Sequence, residues 1–186
     1  VNMQPHQITN ILFSRNQIRR RVDELIDEIA ADCDTENLVM LGILRGSFIF
    51  LADLVRGFER HELHPRIDFI TLSSYGAGTV SSGSVKITHD TDVDLTGADV
   101  VVVDDILDSG RTLMFARDLF LERGARSVRT CVMLDKKTER AVEMEADHVG
   151  FPVDDVFVVG YGLDYDNHYR ELPHIAEVTF ENGVME

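Results

Sequence analysis

Apolar residues recur at helical spacing near the start of the chain. Ile18, Val22, Leu25, Ile26 and Ile29 fall on one helical face, and Ser14 with Gln17 forms a capping-box pattern before them. The spacing predicts an amphipathic helix from about Arg15 to Asp32. Leu38 to Leu44 is a short apolar run, followed by Arg45-Gly46 and a second apolar helix pattern from Phe48 to Phe58, which reads as strand, turn, helix. Arg66 to Leu72 alternates as a strand would. Ser73 to Ser84 is rich in glycine and serine and buries no face, so it is expected to be a long mobile loop. Val85 to His89 is a short strand and Asp94 to Gly97 a turn. Asp99 to Val103 is the most hydrophobic run, as suits a central strand covered on both faces, and it ends in two aspartates. Beyond Ser109-Gly110, Leu113, Ala116, Leu119 and Phe120 mark the buried stripe of a helix that stops near Gly124. Ser127 to Leu134 and Val156 to Val159 supply two further strands.

Strands alternating with helices predict an α/β domain with a central, largely parallel sheet flanked by helices. The N-terminal helix and the segment after Gly160 are read as additions to it. At 186 residues and 44% hydrophobic content the chain supports one sizeable core, hence a single domain. The formal charge of −15 disfavours a duplex-binding or polyanion-coating surface, so nucleic acid is not an expected partner. No stretch approaches the roughly 18 apolar residues of a membrane span, and Val1 to His6 lacks a basic and then apolar leader. The expectation is a cytoplasmic protein with no membrane partner. Cys33 and Cys131 are too few and too far apart for a disulfide framework and are expected as two buried thiols.

In an open parallel sheet, ligands bind outside the carboxyl ends of the strands. After Val103 the chain places Asp104, Asp105, Asp108, Ser109, Gly110 and Thr112. Gly110 allows close backbone approach, the two hydroxyls can donate, and the helix N-terminus adds unpaired N–H groups, which together make an anion cradle. The nucleotide P-loop spacing is absent. Three carboxylates would repel a phosphate, and a hard divalent cation would reconcile them. Acidic residues also cap helices, and an Asp-Asp pair after a strand is uninformative alone. Acids, glycine and hydroxyls meeting at one strand-to-helix junction carry more weight.

The segment Val101 to Thr112 (VVVDDILDSGRT) resembles the phosphoribosyl-pyrophosphate signature of type I phosphoribosyltransferases. The likeness extends over nearly the whole chain. Gly42 to Phe48 (GILRGSF) is similar to the pyrophosphate loop, Ser73 to Gly76 (SSYG) to the start of the catalytic flap, and Leu134 to Lys137 (LDKK) with Phe157 to Tyr165 (FVVGYGLDY) to the base-binding segments. Together they resemble the hypoxanthine (hypoxanthine-guanine) phosphoribosyltransferase branch. The resemblance implies a core of about 36–160, a small hood from about 1–14 and 161–186, and a flap at about 73–84.

It also implies roles. Asp104 and Asp105 would meet the ribose hydroxyls, directly or through Mg²⁺. Asp108 would be the catalytic base at purine N7. The backbone from Asp108 through Ser109, Gly110, Arg111 and Thr112 would hold the 5′-phosphate, and Leu44, Arg45 and Gly46 the pyrophosphate, with a non-proline cis peptide at Leu44-Arg45. Lys136 would donate to the 6-oxo group, Phe157 would stack on the purine, and the Val158 main chain would read the ring edge. Asp164 and Arg170 would engage a second Mg²⁺ and the pyrophosphate. Ser74 and Tyr75 would close over the reaction and exclude water. The implied partners are phosphoribosyl pyrophosphate and a 6-oxopurine, in a homodimer or homotetramer. Arg45 stands where some members of the family carry Lys, Arg111 at a variable position and Thr138 where many bacterial members have Pro, and none of these removes a required group. Two alternatives stay open: a transferase for another base, such as xanthine, and a regulator of the same fold that binds nucleic acid.

Overall fold

The computed structural model describes residues 5–33, 36–74, 85–137 and 140–180. The elements run β1 (His6–Phe13), α1 (Arg15–Asp32), β2 (Leu38–Leu44), α2 (Phe48–Gly57), a 3₁₀ turn (Phe58–His61), β3 (Arg66–Ser74), β4 (Val85–His89), β5 (Asp99–Leu107), α3 (Arg111–Glu122), β6 (Ser127–Lys136), β7 (His148–Val153), β8 (Val158–Val159) and β9 (Ile175–Phe180). Six strands form one sheet in the order β4-β3-β2-β5-β6-β7, and three form another, β1-β9-β8. All pairs in the larger sheet are parallel except β3 with β4.

The capping box starts α1 as expected: the Gln17 amide donates to the Ser14 hydroxyl at 3.4 Å, and the Ser14 amide donates to the Gln17 side chain at 2.9 Å. This helix is no addition to the fold. Ile18, Val22, Leu25, Ile26 and Ile29 pack in one cluster with Phe50, Leu51 and Leu54 of α2 and with Met40, Val101, Val103 and Cys131 of the sheet. On the opposite face, Leu113, Ala116 and Phe120 of α3 pack with Val39, Leu41, Val100, Val102 and Val132. Successive residues of β5 thus serve different helical layers, which is why it reads as an unbroken apolar run. Both cysteines are free and buried, and no helix among the described residues is long and apolar enough to cross a membrane.

The strand expected at Val156 to Val159 does not join the main sheet. Only Val158–Val159 is extended there, and it pairs antiparallel with β9 in the small sheet. The sixth strand of the main sheet is β7, which lies at its edge beside β6. Its sequence, HVGFPV, contains a glycine and Pro152, and an edge strand tolerates a proline that a central strand would not. β5 and β6 outlast their expected ends, through Leu107 and Lys136. Tertiary pairing extends both past the point where apolar character stops: Asp104 pairs with Val132, and Leu107 with Asp135.

The chain leaves β2 toward β3 on one side and β5 toward β6 on the other. The crevice where these directions diverge lies at the carboxyl ends of β2 and β5, the usual ligand position in such sheets.

Candidate active site

Three strand ends and the small sheet supply the side chains at this crevice. β2 delivers Leu44, Arg45 and Gly46. The Leu44–Arg45 peptide is cis, and the turn is closed by the Phe48 amide donating to the Arg45 carbonyl at 3.3 Å. The buried Ser47 hydroxyl donates back to the Ile43 carbonyl at 2.6 Å. Gly46 lies directly against Asp105: a Cβ on this glycine would occupy the space of the Asp105 carboxylate.

Asp104 and Asp105 sit inside the last turns of β5 rather than after it. Asp104 is 8% exposed, and one of its carboxylate oxygens accepts the Asp105 amide at 3.0 Å. Burial, and then the neighbouring Asp105 charge, push the Asp104 carboxyl well above the usual carboxylate range. Burial also raises Asp105, against the opposing pull of Asp104, backbone amides and the Arg170 charge. Two adjacent acids whose ionisation the protein disfavours suit a divalent cation, which would return both to the anionic form. Among the described residues no group of three or more His, Cys, Asp or Glu side chains is arranged to hold a metal. A cation here would therefore need oxygen ligands from a substrate and water, as Mg²⁺ commonly has.

Gly110 caps α3 with φ of 82°, a left-handed conformation that favours glycine, and α3 begins at Arg111. Asp108 and Ser109 are exposed, while Arg111 and Thr112 are half-buried. A cleft of about 240 Å³ is lined by Asp104, Asp105, Asp108, Ser109, Gly110 and Thr112. A second cleft, of about 390 Å³, is lined by Asp105, Asp108, Lys136, Phe157, Val158 and Asp164. The two share Asp105, Ile106 and Asp108. A larger one of about 420 Å³, between α1, α2 and Tyr161, contains none of these side chains.

Lys136 is the last residue of β6 and pairs with Asp155 at 2.9 Å. The Phe157 ring is held edge-on by Tyr165 at 5.7 Å and Phe180 at 5.6 Å between centroids. Its carbonyl accepts the Val178 amide at 2.9 Å, and Val158 is buried in β8. Asp164 accepts from the Asn167 amide at 2.7 Å and pairs with Arg170 at 2.8 Å, while Arg170 also donates to the Gly162 carbonyl at 2.7 Å. Arg45 donates to the Asn167 side chain at 3.1 Å, which ties the β2 turn to this loop.

Every expected site residue with a described side chain thus lies on the β2 turn, the β5–α3 junction, the end of β6, or the loops around β8. Ser74 ends β3, where it pairs with Val85, and Tyr75 lies outside the described residues, as does the rest of the expected flap through 84. Three residues escaped the sequence reading. Asp155 pairs with Lys136, Asn167 bridges Arg45 and Asp164, and Arg140 donates to the carbonyls of Leu107 and Asp108 and pairs with Asp135. Each sits in a loop with no periodic pattern, and only the tertiary contact reveals it.

Residues 9–166 match the model of the phosphoribosyl transferase domain family. The hypoxanthine-guanine phosphoribosyltransferase of Aquifex aeolicus is 46% identical over 169 residues, covering 90% of this chain and 93% of that protein. That of Streptococcus pyogenes is 40% identical over 179 residues, 96% of this chain and 98% of it. Among solved structures, a hypoxanthine-guanine phosphoribosyltransferase from Bacillus anthracis superposes with a TM-score of 0.83 at 40% identity, covering 94% of this chain and 100% of that one. With the acid pair, the anion junction and the second cleft in the arrangement described, the chain belongs to the phosphoribosyltransferase family, in its hypoxanthine-guanine branch.

Proposed function

We propose that this protein transfers a 5-phosphoribosyl group from phosphoribosyl pyrophosphate to N9 of hypoxanthine, and also of guanine, releasing IMP or GMP and pyrophosphate in purine salvage. The observation that carries the reading is that the two adjoining clefts share Asp105 and Asp108. One suits a sugar phosphate, the other a flat base, and they meet where a bond between the two would be made.

The amide groups and hydroxyls from Asp108 to Thr112, at the N-terminus of α3, hold the 5′-phosphate. Asp104 and Asp105 hold the ribose hydroxyls and favour the positive charge that develops at C1′ as pyrophosphate leaves. Leu44, Arg45, Gly46 and Arg170 hold the departing pyrophosphate. Asp108 accepts the N7 proton as N9 attacks, and it stands at the boundary of the two clefts, where that proton would be presented. Mg²⁺ bound with Asp104 and Asp105, and a second ion near Asp164, would supply positive charge against the pyrophosphate oxygens. Phe157 stacks on the base, the Val158 main chain reads its edge, and Lys136 donates to its 6-oxo oxygen. Adenine presents an amino donor to the same lysine, whose N–H toward the base is then left without an acceptor. Ser74 and Tyr75 are assigned to the closing flap through the family likeness alone. The protein is proposed to be cytoplasmic and to work as a homodimer or homotetramer.

The test is an assay with phosphoribosyl pyrophosphate, Mg²⁺ and hypoxanthine, guanine, xanthine, adenine or uracil in turn. Nucleotide from hypoxanthine and guanine is expected, with none from uracil. Absence of product from every 6-oxopurine would overturn the reading.

A further inference from the structure

Arg140 stands behind the phosphate junction and ties it to β6. Its Nη1 donates to the Leu107 carbonyl at 2.9 Å and to the Asp108 carbonyl at 2.5 Å, and its Nη2 pairs with the Asp135 carboxylate. The next residue continues the pattern, since the Ala141 amide donates to the Ser109 carbonyl at 3.1 Å. Val142 and Met144 then close in behind Gly110, where an added Cβ would lie 3.1 Å and 3.0 Å from them. Three successive carbonyls, of Leu107, Asp108 and Ser109, are thereby turned toward the segment that starts at Arg140.

In a trans peptide the carbonyl and the following N–H point in opposite directions. Carbonyls drawn back toward Arg140 and Ala141 therefore turn the amide groups of Asp108, Ser109 and Gly110 the other way, into a concavity of N–H donors that fits a phosphate. The guanidinium fork is suited to this task because it bridges two carbonyls and a carboxylate at fixed angles, which a lysine ammonium cannot do with one geometry. Asp135 fixes the other side of the fork and immediately precedes Lys136 on β6.

We propose that Arg140 is a positioning residue: it shapes the amide concavity that holds the 5′-phosphate, sets the backbone that carries Asp108, and ties both to the strand that carries Lys136. The roles of Asp108 and Lys136 come from the function proposed above, whereas the shaping of the loop is independent of it.

The experiment compares wild type, Arg140→Met and Arg140→Lys by backbone hydrogen exchange and by steady-state kinetics, with thermal unfolding as the check on folding. In Arg140→Met the Ala141 amide, which donates to the Ser109 carbonyl, should exchange at least about tenfold faster while the amides of α1 and β2 stay unchanged. The KM for phosphoribosyl pyrophosphate should rise and kcat fall, together lowering kcat/KM by about 10- to 100-fold. The KM for hypoxanthine should change less. Arg140→Lys keeps the charge without the fork and should recover only part of the loss, and it stands in for the methionine variant if that one does not fold. Unchanged exchange at Ala141 in a folded variant overturns the proposal, as does unchanged KM and kcat. The exchange measurement needs no substrate, so a wild type without transferase activity would sink the proposed function while the exchange data still judged Arg140.

Discussion

Gly46 and Asp105 are packed so closely that no side chain fits between them: a Cβ on Gly46 would overlap the Asp105 carboxylate. Their contact joins the β2 turn to the acid pair of β5, the two places proposed to hold the pyrophosphate and the ribose. Gly46 itself meets the loop between β8 and β9, because a Cβ on Gly162 would overlap the Gly46 carbonyl. In Gly46→Ala either the turn or the carboxylate must move. Displacement by about 1 Å at a reacting centre costs on the order of 100-fold in rate. The expected outcome is a loss of that size in kcat/KM for phosphoribosyl pyrophosphate, with the melting temperature changed by only a few degrees. Wild-type kinetics in the alanine variant would show that Asp105 is free to move without consequence.

Asp108 is the only carboxylate lining both clefts that follows β5 and precedes the helix cap at Gly110. Removal of a general base typically lowers turnover by about 100- to 10,000-fold. Asp108→Asn keeps the shape and loses the basicity, so kcat should fall by about that amount while the KM for the sugar donor rises far less. Equal turnover in the asparagine variant would remove Asp108 from the reaction.

Much of this site was legible because the phosphate junction is contiguous: Asp104 to Thr112 carry the acids, the glycine and the hydroxyls within one strand-to-helix turn. The helices were legible for a related reason, since Ile18 to Ile29 and Leu113 to Phe120 repeat at a period that has one structural meaning. The edge strand β7 was not, because His148 to Val153 mixes a glycine and a proline into a short run and its pairing with β6 is what makes it a strand. The true ends of β5 and β6 were hidden likewise, for polar residues continue both strands through hydrogen bonds to each other. Arg140, Asp155 and Asn167 act through contacts that local pattern does not encode: Arg45 and Asn167 are 122 positions apart in the chain. The helix α1 was legible as a helix and misplaced as an addition, because amphipathicity tells that a face is buried and not against what.

Arg123, at the end of α3, and Asp90, just past β4, form a two-pronged pair, with both contacts at 2.7 Å. The Arg123 guanidinium holds the Asp90 carboxyl below its ordinary value near 3.8. A carboxylate whose pKa is lower in the folded state binds fewer protons there than in the unfolded chain. Its stabilisation is present above the unfolded value and is lost as pH falls through the folded one. Both side chains are partly exposed, so solvent limits the pair to about 0.5–1 kcal/mol. Asp90→Asn should therefore melt slightly below wild type at neutral pH, and the gap should close as pH falls below the ordinary carboxylate value of 3.8 and shrink in high salt. A gap that widened toward acid would contradict the assignment.

The end of β6 puts Lys136 at the second cleft, where the proposed discrimination between bases would act. The lysine side chain is 16% exposed and emerges at the second cleft, where Asp155 pairs with it at 2.9 Å. A partly buried ammonium can donate to a 6-oxo oxygen but offers nothing to a 6-amino group, and the N–H aimed at the base then lacks an acceptor, which is costly. A site built to pair with a polar substrate group rejects an analogue lacking it by as much as about 10,000-fold. In Lys136→Ala that penalty disappears because the donor itself is gone. The kcat/KM for hypoxanthine should fall by about 100-fold or more, while the value for adenine, already low, should stay level or rise. The ratio of the two is the diagnostic quantity, since a general loss of structure would lower both together. Lys136→Gln retains a neutral donor and should lie between wild type and alanine. An unchanged ratio in the alanine variant would move base selection elsewhere, to the main chain beside Phe157 and Val158 or to the Asp105, Asp108 and Asp164 carboxylates that also line that cleft.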